Sequence, residues 1–245
     1  MKSMKQSGAM VDYAAPHILD RLGGCLVNYQ AWVASLFSDL ALRQNFNKIL
    51  DFGGGNGDLA VLFASKARIK PLLVEIDPRL RRVCRERGFK VFTGLDEVLG
   101  KQEFIYSSNV LEHIPDDVKA LVEIGNALVD GGVIALYLPA SKLIWTAMDD
   151  RVGHYRRYNK KTLRRALVEA GFQIESMRYC DSLGFILALF YKLLPARDGE
   201  PSERSLIIYD RFIFPMSLWV DKIASSFFGK NIFVIARKNE QSWSD

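Results

Sequence analysis

Two groups of residues in this chain have types and spacings that could do chemistry. The first is the run "ILDFGGGNGD", where Asp51-x-Gly53-x-Gly55-x-Gly57 lies between an apolar, strand-like segment and a helix-like one, with Gly54 as a fourth glycine. Glycine permits positive φ there and lets a ligand approach the backbone with no Cβ in the way. A sharp strand-to-helix turn aims backbone N–H groups and a helix N-terminus into the crevice at the strand ends, where a nucleotide-like ligand fits. A dinucleotide fingerprint, G-x-G-x-x-G, would need a small residue where this chain has Asp58. Carboxylates at both ends of the turn, Asp51 and Asp58, also disfavour a pyrophosphate. A ligand carrying an amino group and a sulfonium suits the turn better.

The second group is split between "NVLEH", residues 109–113, and "MDDRVGHYRRY", residues 148–158. Glu112 and His113 follow one strand-like segment, and His154 follows the next. A histidine titrates near neutral pH and can act as a general base, while the adjacent Arg156 and Arg157 can fork around an anion with Tyr155 beside them. The plainer reading is that the arginines and tyrosines anchor the helix that follows.

The elements that must position these residues alternate. From about residue 47, "KILDF", "PLLVEID", "KVFTG", "EFIYSSN", "VIALYLP", "FQIESMRY" and "KNIFVIARK" read as strands, with helical segments between most of them. Such alternation predicts an α/β fold with a mostly parallel sheet covered on both faces. Pro115, Asp116 and Asp117 should open one helix, Asn159 should cap another, and Gly171 should stop it. Residues 1–46 read as a helical N-terminal cap, with Tyr13, His17 and Trp32 read as packing aromatics, and residues 47–245 read as the main domain. Residues 183–229 form an apolar helical insertion before the last strand, too long for an ordinary loop. Within it Tyr209, Phe212, Met216, Trp219, Ile223 and Phe227 follow helical spacing, with Asp210, Ser217, Asp221 and Ser225 on the other side. That stripe suits a covered core, an acceptor roof, a dimer contact or peripheral membrane contact.

Composition sets the outer bounds. With 245 residues, 49% apolar and 25% charged, the chain can bury one sizeable core. A net charge of +5 permits anionic partners without demanding them. Three isolated cysteines suggest neither a disulfide framework nor a metal cluster. The start of the chain lacks a signal-peptide core, and no segment approaches the ~20 apolar residues that span a bilayer. A cytoplasmic protein is expected, at most peripheral to the inner face of a membrane.

The glycine turn resembles motif I of the class I S-adenosylmethionine-dependent methyltransferases, and the resemblance runs from about Lys48 to Gly171. It implies S-adenosyl-L-methionine as cofactor and a Rossmann-like seven-stranded sheet in the order 3-2-1-4-5-7-6, the last strand antiparallel. Asp51, Gly53, Gly54, Gly55 and Gly57 would then hold the methionine moiety. Asp77, ahead of Pro78, would bind the ribose hydroxyls, its alternative role being a helix N-cap. Asn109 and Val110 would border the cofactor, and Leu111 would pack on the adenine. Leu95 stands where the family usually has an acid for the adenine amino group, so Asp96 is expected to substitute. Glu112, His113, Tyr155, Arg156 and Arg157 would face the acceptor, with His154 as base.

A looser resemblance, carried by the segment around His154, is to a bacterial group similar to enzymes that modify cell-envelope glycans and lipids. It implies a small, lipid-linked or glycan acceptor, methylated on oxygen. "NVLEH" also resembles E-x-x-E-H, which binds a divalent ion in some small-RNA and quinone-pathway methyltransferases. Asn109 replaces the first acid, so no metal is expected. A nucleic-acid methyltransferase is disfavoured, because the motif after the fourth strand lacks the Asn/Asp-Pro-Pro-Tyr pattern that serves base amines. A non-catalytic binder on the same fold would need a blocked crevice.

Overall fold

The computed structural model describes residues 24–193 and 202–239 of the chain. Tyr13 and His17 lie outside them. Seven strands form one sheet: β1 (Ile49–Phe52), β2 (Leu72–Val74), β3 (Val91–Phe92), β4 (Gln102–Ser108), β5 (Leu128–Pro139), β6 (Phe172–Cys180) and β7 (Asn231–Lys238). Their order is β3-β2-β1-β4-β5-β7-β6. β7 is antiparallel to both β5 and β6, and the other pairings are parallel. This is the Rossmann-like arrangement that the alternation of strands and helices and the resemblance imply. The order of strands reverses between β1 and β4, which run parallel, so the crevice for a ligand opens at their carboxyl ends.

Helices cover both faces. On one side lie α1 (Val27–Gln44) and α2 (Asp58–Ala67), where Phe37 and Phe63 stack on Tyr106 of β4 at 4.8 and 4.9 Å. α1 buries Val33, Phe37, Leu40 and Ala41, so this part of the expected cap is one layer of the core. Trp32 is a packing residue, edge-on to Tyr137 and Phe214. On the other side α4 (Asp117–Ala127) and α6 (Lys160–Glu169) bury Leu121, Ile124, Leu163 and Leu167 against the sheet. α3 (Pro78–Glu86) shields the β2–β3 edge through Leu80 and Cys84. The helix starts follow their local chemistry: Asp77, Asp116 and Asn159 each accept a backbone N–H from the first turn. Pro78 fills the N1 position.

Among its described residues, the segment between β6 and β7 is largely helical. α7 (Ser182–Leu193) leaves the end of β6. A rod then runs through α8 (Glu203–Ile208), a π-helical turn at Tyr209–Ile213 and α9 (Phe214–Ala224) back to β7. Because β7 is antiparallel, its start lies beside the end of β5. The insertion therefore stands on the crevice edge of the sheet.

Candidate functional site

The glycine turn is shaped by the protein before any ligand is considered. Gly53 (φ +82°) and Gly54 both donate to the Val74 carbonyl of β2, at 2.8 and 3.0 Å. A Cβ on Gly53 would meet Val110 Cγ2 at 2.2 Å, and one on Gly54 would meet the Leu73 side chain at 2.9 Å. Those glycines let β1 pass under the β4 loop. Asp58 is turned away, held by Arg87 at 2.5 Å and by the Asn56 amide.

Two buried carboxylates flank the turn. Asp51, near the end of β1, is almost wholly buried, and its Oδ2 has no hydrogen-bond partner among the described residues. Burial raises its pKa to about 8, with the Tyr106 hydroxyl opposing the rise and Glu75 adding to it. Glu75, just beyond β2, accepts the Gly55 N–H on one oxygen and the Asp77 N–H on the other, each at 2.8 Å. Burial raises its pKa as well, against the pull of those two donors. Beyond it Ile76 is 80% exposed, an apolar face at the lip of the crevice.

Asp77 is bonded within its own helix start. Its carboxylate caps α3 through the Arg79 N–H at 2.8 Å and pairs with the Arg79 guanidinium at 2.8 Å. Of the two roles open to it in the sequence, its bonds form the cap, and the acid bonded to the glycine turn is Glu75. Sequence reasoning passed over Glu75. The available signal was a lone acid inside the apolar run "PLLVEI", which must be buried with a purpose. Asp96 is exposed on the short turn after β3, its carboxylate against Gly94. Asn109 is exposed with φ +53°, anchored by its N–H to the Tyr137 carbonyl at 2.8 Å. Leu111 is enclosed in the main core, so it is not open to an adenine ring as expected. Val110 fills the space beside Gly53.

The second group converges at the ends of β4 and β5. Thr146 caps α5 (Ala147–Arg151), and in the reciprocal contact its N–H donates to Asp149 at 2.9 Å. Gly153 (φ +77°) then turns the chain so that His154 lies over Asp149. His154 Nδ1 is 2.7 Å from Asp149 Oδ1, and Arg157 grips the same carboxylate from Nε at 2.7 Å and Nη2 at 3.1 Å. Burial alone would raise the pKa of Asp149, but the bonds from His154, Arg157 and Thr146 hold it below the usual carboxylate range. His154 Nε2 points at Glu112, 3.9 Å from Oε1. The His113 ring stands edge-on to that of His154 at 4.6 Å. Glu112 is fully buried, and neither of its oxygens has a partner among the described residues. Burial pushes its carboxyl up to about 8, and burial beside His154 pushes His113 down to about 4. Glu112, His113 and His154 each bring one potential ligand atom within 4.8 Å of the others.

The arginines are occupied. Arg156 donates to the Ile114 and Pro115 carbonyls and pairs with Asp117 at 3.1 Å, while Arg157 holds Asp149. The pair forms no open anion fork here, because Arg156 ties the histidine loop to the start of α4 and Arg157 ties it to Asp149 and the Ala140 carbonyl. Tyr155 stands 60% exposed at the rim. Asp149 had shown in the sequence only as half of an acid pair, and its role needed the capping turn to be seen.

Residues 28–177 match a family described as a methyltransferase domain. The match stops ahead of the insertion. Among solved structures, the chain is similar to magnesium protoporphyrin IX methyltransferase from Synechocystis PCC 6803, solved with S-adenosylhomocysteine. That likeness has TM-score 0.58 and 15% identity, over 93% of this chain and 97% of that one. A likeness of TM-score 0.58 at 15% identity extends to an S-adenosylmethionine-dependent methyltransferase from Clostridium acetobutylicum, over 91% and 97%. The [4+2]-cyclase SpnF also shares the fold, with TM-score 0.54 and 17% identity over 86% and 81%. No curated protein matches the chain in sequence. At these identities the likenesses establish the fold, which alone does not fix a chemistry.

Proposed function

The chain belongs to the methyltransferase-domain family, and from that premise we propose that it transfers the methyl group of S-adenosylmethionine to an oxygen of a small, lipid-linked or glycan acceptor. The observation that carries this reading is the pair of buried carboxylates, Asp51 and Glu75, converging on the glycine turn. Asp51 keeps an orphaned oxygen in a dry site, which is unfavourable unless a cation or donor meets it. A cationic amino acid moiety does so. Glu75 is placed for the ribose hydroxyls, Ile76 and Asp96 for the adenine, and Asn109 with Val110 for the opposite wall. Asp77 and Pro78 contribute the helix start behind Glu75.

The cofactor supplies an already activated methyl group on sulfur, so the chain must align the acceptor oxygen and take its proton. His154 fits that task. Asp149 fixes its Nδ1 side, leaving Nε2 toward the space shared with Glu112 and His113. Tyr155 stands where an acceptor would enter. The orphaned Glu112 favours a second reading of the same trio, in which Glu112, His113 and His154 hold a divalent ion that polarises the acceptor oxygen.

Isothermal calorimetry with S-adenosylmethionine and with NAD tests the first half. Binding of the methyl donor with no response to NAD is expected, and the reverse pattern would end the assignment. Labelled methyl donor incubated with fractionated cell extract then shows whether label enters lipid, glycan, nucleic acid or protein. Loss of transfer on chelation, restored by Mn²⁺ or Zn²⁺, would favour the ion over the base.

A further inference from the structure

α9 is built inside out. Its buried positions are Phe214, Ser217, Asp221 and Ala224. The polar two among them have interior tasks: Asp221 accepts the N–H groups of Asp181 and Ser182 at 2.7 and 2.9 Å, and Ser217 accepts that of Leu183 at 3.0 Å. Together they cap the start of α7. About two turns before Ser217, Asp210 of the π-helical turn accepts the N–H groups of Asn28 and Tyr29 at 2.9 and 2.8 Å, which caps α1. These bonds fix which side of the rod faces in. The apolar stripe is left outside: Ile208, Phe212, Met216, Trp219, Ile223 and Phe227 are between 56% and 81% exposed. α7 adds exposed Leu187 and Phe190. Soluble surfaces rarely carry so many large apolar side chains in one contiguous row.

The charges around the stripe say what covers it. Among the described residues of 182–228, the exposed charged side chains are Lys192, Arg204, Arg211 and Lys222 against Glu203. Lys222 Nζ lies 4.0 Å over the Trp219 ring, and the Arg211 guanidinium 5.8 Å over that of Phe212. Apolar side chains with cations riding on their rims suit an anionic interface, where the stems follow the apolar layer and the heads stay among the headgroups. A second copy of this face would bring the same cations against one another. No described helix is long and apolar enough to cross a membrane, so the rod would lie in the interface. The insertion also packs beside the acceptor side: Lys192 Nζ donates at 2.9 Å to the carbonyl of Leu143, itself exposed, in the turn that leads to α5 and Asp149.

We propose that the outward stripe of the α8–α9 rod, with α7 beside it, is a docking surface for an anionic lipid bilayer that sets the acceptor side of the crevice against the membrane. The bilayer contact stands independently of methyl transfer, because it is measured without methyl donor.

The test uses the full chain and vesicles of phosphatidylglycerol mixed with phosphatidylcholine, compared with phosphatidylcholine alone. Co-sedimentation with the anionic vesicles is expected, weakened by salt, with a blue shift of tryptophan emission that Trp219→Leu removes. Trp219→Ser combined with Ile223→Ser should lower partitioning roughly 100-fold, about tenfold per side chain, with an unchanged circular dichroism spectrum. Lys222→Ala with Arg211→Ala should lower it several-fold at low salt only. Equal binding to both vesicle types, or no binding to either, would overturn the proposal. So would a dimer in sedimentation velocity that the serine variant dissolves while vesicles bind neither protein, which would assign the stripe to a second copy.

Discussion

Asp51 and Asp221 are both buried aspartates on the crevice edge of the sheet, and they are spent in opposite ways. Asp221 accepts bonds from two backbone N–H groups and the Ser182 hydroxyl, all supplied by its own fold. Asp51 keeps an oxygen with no partner among the described residues. A buried polar group is tolerable when it is bonded, and one left without a partner costs stability that a ligand can return. The difference separates framework from site. Asp149, gripped by Arg157, His154 and Thr146, belongs with Asp221, and Glu112 belongs with Asp51.

That sorting makes its largest prediction at the histidine. If Asp149 is framework and His154 the group it positions, His154→Ala should lower turnover by about 10²–10⁴-fold while calorimetry finds the methyl donor bound as before. Unchanged turnover would remove His154 as base. Asp149→Asn should keep the hydrogen bond to the ring yet lose part of the rate, whereas Asp149→Ala should also loosen the loop.

The next effect belongs to Asp221. Asp221→Ala leaves the first turn of α7 with buried donors and should cost about 3 kcal/mol or more in urea unfolding. Asp221→Asn should recover part of that. By contrast Trp219→Ser, on the outward side of the same helix, should move stability by no more than about 0.5 kcal/mol. A large loss at Trp219 and none at Asp221 would reverse the assigned faces.

Those two faces mark the limit of what the sequence could tell. The stripe of Phe212, Met216, Trp219 and Ile223 was legible as a period, because helical spacing needs only the order of residues. Which side turned inward was not, since it depends on Asp221 and Ser217 meeting the start of α7 from 34 to 40 positions away in the chain. Alternating strands and helices made a mostly parallel, two-faced sheet legible, while its order followed from the resemblance carried by the glycine turn and the motifs after it. Asp51 and the glycines were legible for the same local reason, a turn whose backbone needs are written in residue type. Asp77 shows the converse. Its place before Pro78 fits both a ribose ligand and an N-cap, and the choice is made by Arg79 and by Glu75 lying deeper. Between a fork and an anchor the sequence leaves Arg156 and Arg157 undecided, because their acceptors, Asp117, the Ile114 carbonyl and Asp149, come together only in the fold.

The crevice pair is sharpened by a substitution contrast. Glu75→Gln should weaken binding of the methyl donor by roughly 10–100-fold, the range of one or two charge-assisted hydrogen bonds. Asp77→Ala should leave affinity within about twofold and cost about 1 kcal/mol of stability as a lost cap. If Asp77→Ala abolished binding while Glu75→Gln did not, the ribose role would return to Asp77.

The last effect, a few-fold change of affinity with pH, is the most specific to Asp51. Its pKa in the fold is about 8, raised from 3.8 by burial, so between those values the native protein holds a proton that the unfolded chain has released. Stability from this group is therefore full below about pH 4 and declines as pH rises toward 8, by at most about 1.4 kcal/mol per unit. Asp51→Asn carries no such proton, and its melting temperature should fall less over the same range. A cationic methyl donor favours the ionised carboxylate, so affinity should rise a few-fold from pH 6.5 to 8 and binding should release a fraction of a proton. Calorimetry in two buffers of different ionisation enthalpy measures that fraction directly. In Asp51→Asn it should vanish together with most of the affinity, whereas the variant itself should be the more stable protein at pH 8. A variant that binds the donor normally and melts lower than the parent would place Asp51 with Asp221, as framework.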